Sequence, residues 1–204
     1  MRTLACFVSP HGFGHAARTC AVIERLATRD AELRFELFTT VPEWFFADSL
    51  GLRFGYHEVD CDLGLVQRTA LEEDVLATVA ALDARLPLHP RRLDEVAAQL
   101  DRLRCSAVLC DISPLGIAAA RRVGLPVFLV ENFTWDWIYR HHDGRTPALL
   151  RHADRLEEVF DRVDLRIQAE PACQPQPTAC QVGPVARRAR EPAASVRRRL
   201  GIDP

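Results

Sequence analysis

The sequence predicts an α/β domain built on a doubly wound parallel sheet. Three observations point there: short unbroken apolar runs, amphipathic segments of helical spacing between them, and Gly, Pro or Ser-Pro punctuation at the changeovers. Strands that alternate with helices join through parallel crossovers. Strands covered on both faces read as continuous apolar runs.

The elements follow in order. Residues 4–8, Leu-Ala-Cys-Phe-Val, form the first strand. Ala16, Cys20, Ile23 and Ala27 then recur at helical spacing, with Arg18, Glu24, Arg25 and Arg29 on the other faces. A second strand fits residues 34–39, a short helix 42–50 and a third strand 53–59. A long helical region is expected over 71–104, broken near Pro87 and Pro90. Residues 107–110 make the next buried strand. Ser113-Pro114 then supplies an N-cap and a first-turn residue for a small-residue helix that Gly124 stops. Residues 127–130 and 165–168 are further strands, separated by a helix through Leu156 and Phe160. Residues 1–170 thus read as one domain. Residues 171–192 carry Pro171, Pro175, Pro177, Pro184 and Pro192 and read as an interdomain linker, and 193–204 as the start of a second domain that is missing.

A chain of 204 residues can bury one core of its own. Its 26 basic residues are all Arg, and 28 acids leave a net charge of -2, so no nucleic-acid partner is expected. The run at 4–8 is too short for a secretory leader or a membrane span, and a cytoplasmic location is expected. The seven cysteines contain no C-x-x-C pair and read as reduced, mostly buried thiols. His141-His142-Asp143 is not expected to bind metal, because adjacent side chains on a helix diverge. Arg187, Arg188, Arg190, Arg197, Arg198 and Arg199 form a basic tail that reads as solvated; without aromatic anchors, a membrane contact is disfavoured.

Loops that follow parallel strands gather along one sheet edge, where ligands bind. Three such loops stand out. The first is Ser9-Pro10-His11-Gly12-Phe13-Gly14-His15, whose glycines allow a tight turn and close backbone approach to a ligand at a helix N-terminus. The second begins at Asp111, directly after an apolar strand. The third is Glu131-Asn132-Phe133-Thr134-Trp135-Asp136-Trp137, where exposed aromatic planes beside amides would suit a sugar or another ring. Each has a plainer reading alone: the His caps or packs, Asp111 caps the helix starting at Pro114, and the tryptophans fill the core. Their convergence on one edge favours a site. Gly12-x-Gly14-x-x-Ala17 also matches a loose dinucleotide fingerprint, but the second strand ends Phe38-Thr39-Thr40 without the acid a nicotinamide enzyme needs.

The segment from Ser9 to Arg18 resembles the opening loop of GT-B glycosyltransferases, most of all the glycosyltransferase-like N-terminal region of L-arabinokinases and related bacterial proteins. The similarity continues through Asp60-Cys61-Asp62-x-Gly64-x-Val66-Gln67, Cys110-Asp111 and Asn132-Phe133-Thr134-Trp135-Asp136-Trp137-Ile138-Tyr139. The resemblance implies a Rossmann-like domain, the N-terminal, acceptor-side half of a GT-B architecture. It implies inverting transfer of a hexosyl group from a nucleotide sugar to an acceptor hydroxyl, with His15 as general base and Asp111 as the acid that orients it. His11, Gly12, Gly14, Asp60, Gln67, Asn132 and Trp135 would bind substrate. The acceptor would be a small molecule or a lipid, with no cofactor and no metal. The donor site would lie on the missing C-terminal domain, so the isolated chain is expected to be inactive. The alternative is a non-catalytic sugar-binding or regulatory module of the same fold.

Overall fold

The computed structural model describes residues 2–189 and 191–202. Arg190 of the basic tail, and the last two residues of the expected second-domain start, lie outside them. Seven strands form one parallel sheet: β1 (Thr3–Val8), β2 (Arg34–Thr39), β3 (Gly55–Glu58), β6 (Ala107–Asp111), β7 (Val127–Glu131), β8 (Leu165–Ala169) and β9 (Cys180–Val182). Their order across the sheet is β3-β2-β1-β6-β7-β8-β9. The chain therefore builds outward from β1 in one direction, returns, and builds outward from β6 in the other. The expected doubly wound parallel architecture is present.

Strand alternation divides the core into two layers. Ala5, Phe7, Val108, Cys110, Val127 and Leu129 face one side, under α4 (Pro90–Arg102), α5 (Pro114–Arg122) and α7 (Pro147–Phe160). Leu4, Cys6, Val8, Leu109 and Val130 face the other, under α1 (Phe13–Arg29) and α2 (Glu43–Ser49). All six residues of β1 are buried, in keeping with the apolar run that Leu4 to Val8 make after Thr3. Five cysteines are buried and Cys173 and Cys180 are exposed; all seven are free thiols.

Three segments differ from the sequence reading. The long helical region begins instead with a hairpin, β4 (Gln67–Thr69) and β5 (Glu72–Glu73), before α3 (Val75–Arg85). Asp74 decides this start: its backbone is extended and its side chain accepts from the Ala77 amide, so the helix opens only after it. A helix, α6 (Trp135–His141), begins inside what reads as the third loop. The proline-rich stretch expected as linker contributes β9, which pairs with β8 beyond residue 170. There Gln168 acts as a clasp, its Oε1 accepting from the Gln176 amide and from Gln181 Nε2. The tail ends in α8 (Ala193–Leu200), which buries none of its residues. Within the basic tail, Arg187 folds back onto α2, donating to Ser49 at 2.6 Å and lying 5.0 Å over the Phe45 ring, so it is not simply solvated.

Ser113 serves two elements at once. Its Oγ accepts from the Gly116 amide as the N-cap of α5, and its hydroxyl donates to the Cys61 carbonyl at 2.9 Å. Ser113→Ala should lower stability by about 1–3 kcal/mol, seen as a fall in urea midpoint at constant slope. A change below about 0.5 kcal/mol would show that neither bond contributes.

Candidate active site

The reversal of strand order falls between β1 and β6, the place where open parallel sheets bind ligands, and the loops that leave these two strands lie side by side there. The first loop turns at Gly12, whose φ of 79° lies in the left-handed region that suits glycine, and α1 starts at the next residue. His15, Arg18 and Thr19 follow at helical offsets of three and four, so they share one face. All three are buried against the end of β6.

Asp111 is the last residue of β6 and is 2% exposed. His15 Nδ1 lies 2.7 Å from its Oδ1. Arg18 grips both oxygens, Nε donating to Oδ2 at 2.7 Å and Nη2 to Oδ1 at 2.5 Å, and the Thr19 hydroxyl adds a longer bond at 3.4 Å. Arg18 also donates from Nη1 to Asn132 Oδ1 at 2.8 Å. Burial alone would raise the Asp111 carboxyl, but hydrogen bonds from Arg18 and His15 and the Arg18 charge outweigh it and hold the group below its ordinary range. An ionised carboxylate can only accept, so His15 Nδ1 carries a hydrogen; in the uncharged ring the lone pair then belongs to Nε2. Asp111 does not cap α5, because Ser113 fills that position. Between them Ile112 takes a φ of 49°, a strained conformation for a β-branched residue beside the site.

A second cluster sits next to the first. Asp62 is buried and accepts from Ser9 Oγ at 2.6 Å, Trp135 Nε1 at 2.6 Å and the Leu63 amide at 2.7 Å. Burial raises its carboxyl to about 6 against the pull of these donors and of His15. The segment around it is a strap over the strand ends, tied by Cys61 Sγ to the Val8 carbonyl and by the Tyr139 hydroxyl to the Leu63 carbonyl. His11 accepts on Nε2 from the Gly64 amide and meets the Trp135 ring edge-on at 4.8 Å. A side chain at Gly64 would lie 2.5 Å from the His11 ring and 2.6 Å from Trp135, so the close approach requires glycine. Burial, then the proximity of His15, lower His11 to about 4, and it stays neutral at physiological pH.

The structure thus brings together His15, Asp111 and Asn132 around Arg18, and sets Trp135 between Asp62 and His11. Gly12 and Gly14 present exposed backbone at the start of α1. Trp135 is 6% exposed, so it is a buried wall and not the exposed aromatic plane expected of it. Asp60 turns to Arg85 at 2.7 Å, and Gln67 is exposed on β4; neither hydrogen-bonds to His15 or Asp111. Sequence reasoning missed Arg18 and Asp62 as site residues. Arg18 had a legible signal, its position one helical turn after His15; Asp62 had none beyond its place between Cys61 and Leu63. Among the described residues no group of three or more His, Cys, Asp or Glu side chains could hold a metal ion, and no helix is long and apolar enough to cross a membrane.

The raised Asp62 makes a prediction about pH. Its folded value exceeds the unfolded 3.8, so the native chain holds a proton between about pH 4 and 6 that the unfolded chain has lost. Stability is therefore lost as pH rises through that window. Asp62→Asn lacks this titration, and its stability relative to the unsubstituted chain should improve by about 2–3 kcal/mol between pH 4 and 7. Urea unfolding across the range reads this directly; a constant difference would refute the raised carboxyl.

No family model matches the chain. L-arabinokinase from Arabidopsis thaliana is 27% identical over 206 residues, an alignment that takes in 97% of this chain and 19% of that protein. The chain thus spans about a fifth of its relative's length. Among solved structures, UGT2 of Phytolacca americana, determined with UDP-2-fluoro-glucose and pterostilbene, superposes with a TM-score of 0.55 at 16% identity. That match covers all of this chain and 58% of the other. MurG of Acinetobacter baumannii gives 0.52 at 14% identity, over 93% of this chain and 47% of that one. In fold, the chain corresponds to the Rossmann-like N-terminal half of a GT-B glycosyltransferase.

Proposed function

We propose that the chain is the acceptor-side half of an inverting glycosyltransferase that moves a hexosyl group from a nucleotide sugar to an acceptor hydroxyl. The observation that carries this reading is the His15–Asp111 pair, 2.7 Å apart at the sheet's switch point, with Nε2 making no hydrogen bond among the described residues.

An alcohol is a weak nucleophile until its proton has somewhere to go. Here the acceptor O–H gives its proton to His15 Nε2 while its oxygen attacks the anomeric carbon. The bond from that carbon to the phosphate oxygen breaks as the new one forms, and the nucleoside diphosphate leaves with the electron pair. A single displacement of this kind inverts the anomeric centre. Asp111 keeps the ring in the tautomer that exposes Nε2 and faces the imidazolium that forms. The sugar arrives already activated, so the scheme calls for no cofactor and no metal ion. Neutral His11 adds no charge beside the base. The donor would sit on a second domain, and the described chain would hold the acceptor without turning over.

A second reading has its own support. The matched relative is named for a kinase, and the chain aligns with a fifth of it. On that reading the domain binds a sugar without transferring it, and calorimetry on the chain alone detects the sugar while no longer protein releases nucleoside diphosphate.

The two readings separate in a protein that joins this chain to a donor-binding half. His15→Ala should reduce nucleoside diphosphate release by at least about 100-fold, and Asp111→Asn should also reduce it. Unchanged release in His15→Ala would remove the base assignment.

A further inference from the structure

We infer that Arg18 is a positioning residue for the His15–Asp111 pair, holding the acid ionised so that the imidazole keeps only the tautomer a base requires. The inference rests on the reading of His15 as the base. It begins from a difficulty in the geometry. A carboxylate that is 2% exposed pays a large desolvation cost, and an imidazole is a poor counterweight because it is uncharged in its basic form. Left with His15 alone, such an acid tends to take up a proton. A protonated Asp111 becomes a donor, the His15 nitrogen facing it must accept, and the ring hydrogen moves to Nε2. The ring then cannot take a proton from an acceptor.

Arg18 removes that outcome. Its guanidinium is permanently charged, grips both carboxylate oxygens in a two-point fork, and is itself buried. Arg18 Nη2 also lies 3.3 Å from His15 Nδ1; with Asp111 ionised both nitrogens carry hydrogen, so the shorter 2.7 Å contact to Asp111 is the bond that Nδ1 makes. Around the pair, α1 supplies Arg18 and His15; from the end of β7, Glu131 adds negative charge near Arg18; from the two loops, Asp62 and neutral His11 lie near His15. Among these, Arg18 is the one permanent cation in contact with Asp111.

The same guanidinium sets Asn132. Its third bond occupies Asn132 Oδ1, which fixes the flip of the amide and leaves the two amide hydrogens without a protein acceptor among the described residues. Arg18 thereby locks three sheet-edge elements together: α1, the end of β6 and the loop after β7.

The test is nuclear magnetic resonance on the full chain, with ring-nitrogen shifts reporting the His15 tautomer and the side-chain carbon of Asp111 reporting its titration. His15 should show a single Nδ1–H pattern at neutral pH. In Arg18→Gln the Asp111 midpoint should rise by about 1–3 pH units and the His15 signals should lose that pattern. Arg18→Lys keeps the charge without the fork and should restore the tautomer at least in part. An unchanged Asp111 midpoint and tautomer in Arg18→Gln would overturn the inference. If that variant does not fold, the unsubstituted chain still decides: the Arg18 Nε–H should be protected from exchange and its shift should follow Asp111, and an unprotected, insensitive signal would overturn it. None of these readouts uses turnover. A chain that passes them but transfers no sugar when joined to a donor half leaves Arg18's role intact and rejects the transferase reading.

Discussion

The parallel pairing of β1 with β6, in the register Val8↔Asp111, is the constraint on which the rest of the site depends. The Ser9 amide extends that ladder by donating to the Asp111 carbonyl at 3.2 Å. Side chains alternate across a strand, so position 111 shares the face of Leu109, under α1. A slip of one residue would turn the acid toward α5 and leave His15 and Arg18 buried without it. The burial of β1 on both faces holds this register, because any slip would also move Phe7 and Cys6 into the wrong layers.

Asp111 and Asp62 both lie buried at this edge, and their partners drive them in opposite directions. Asp111 faces a cation and stays ionised. Asp62 faces a hydroxyl, an indole N–H and an amide, all neutral donors, and burial carries it upward. Neutral donors stabilise a carboxylate less than a paired charge does, so desolvation wins at one position and loses at the other. The Asp62 cluster ties the strap to Ser9 and Trp135; the Asp111 cluster pairs a carboxylate with an imidazole and a guanidinium.

Much of the fold could be read from residue order. The central strands β1, β6 and β7 carry apolar runs, and α1 and α5 carry helical spacing with glycine or serine at their starts. Where the reading departed from the structure, a side-chain bond or a partner strand made the difference. Asp74 capping its own helix turned the start of a helical region into a hairpin, and a partner for residues 180–182 existed only once β8 was in place. Trp135 looked like a ligand shelf because its neighbours are polar. Its indole N–H found Asp62, which lies 73 residues away in the chain.

The amino-acid sequence by itself determined the alternation of strands and helices, the tight turn at Gly12, and the placement of a histidine just beyond the turn after one buried strand and of an acid at the end of another. Periodicity carries that information because it records which side of its own element a residue occupies. Only the tertiary structure decided that those two strands adjoin, that Arg18 rather than solvent meets Asp111, and that Asp60 pairs with Arg85. Contacts between polar groups on separate elements follow from register and strand order. These are properties of the assembled sheet, and no spacing along the chain encodes them.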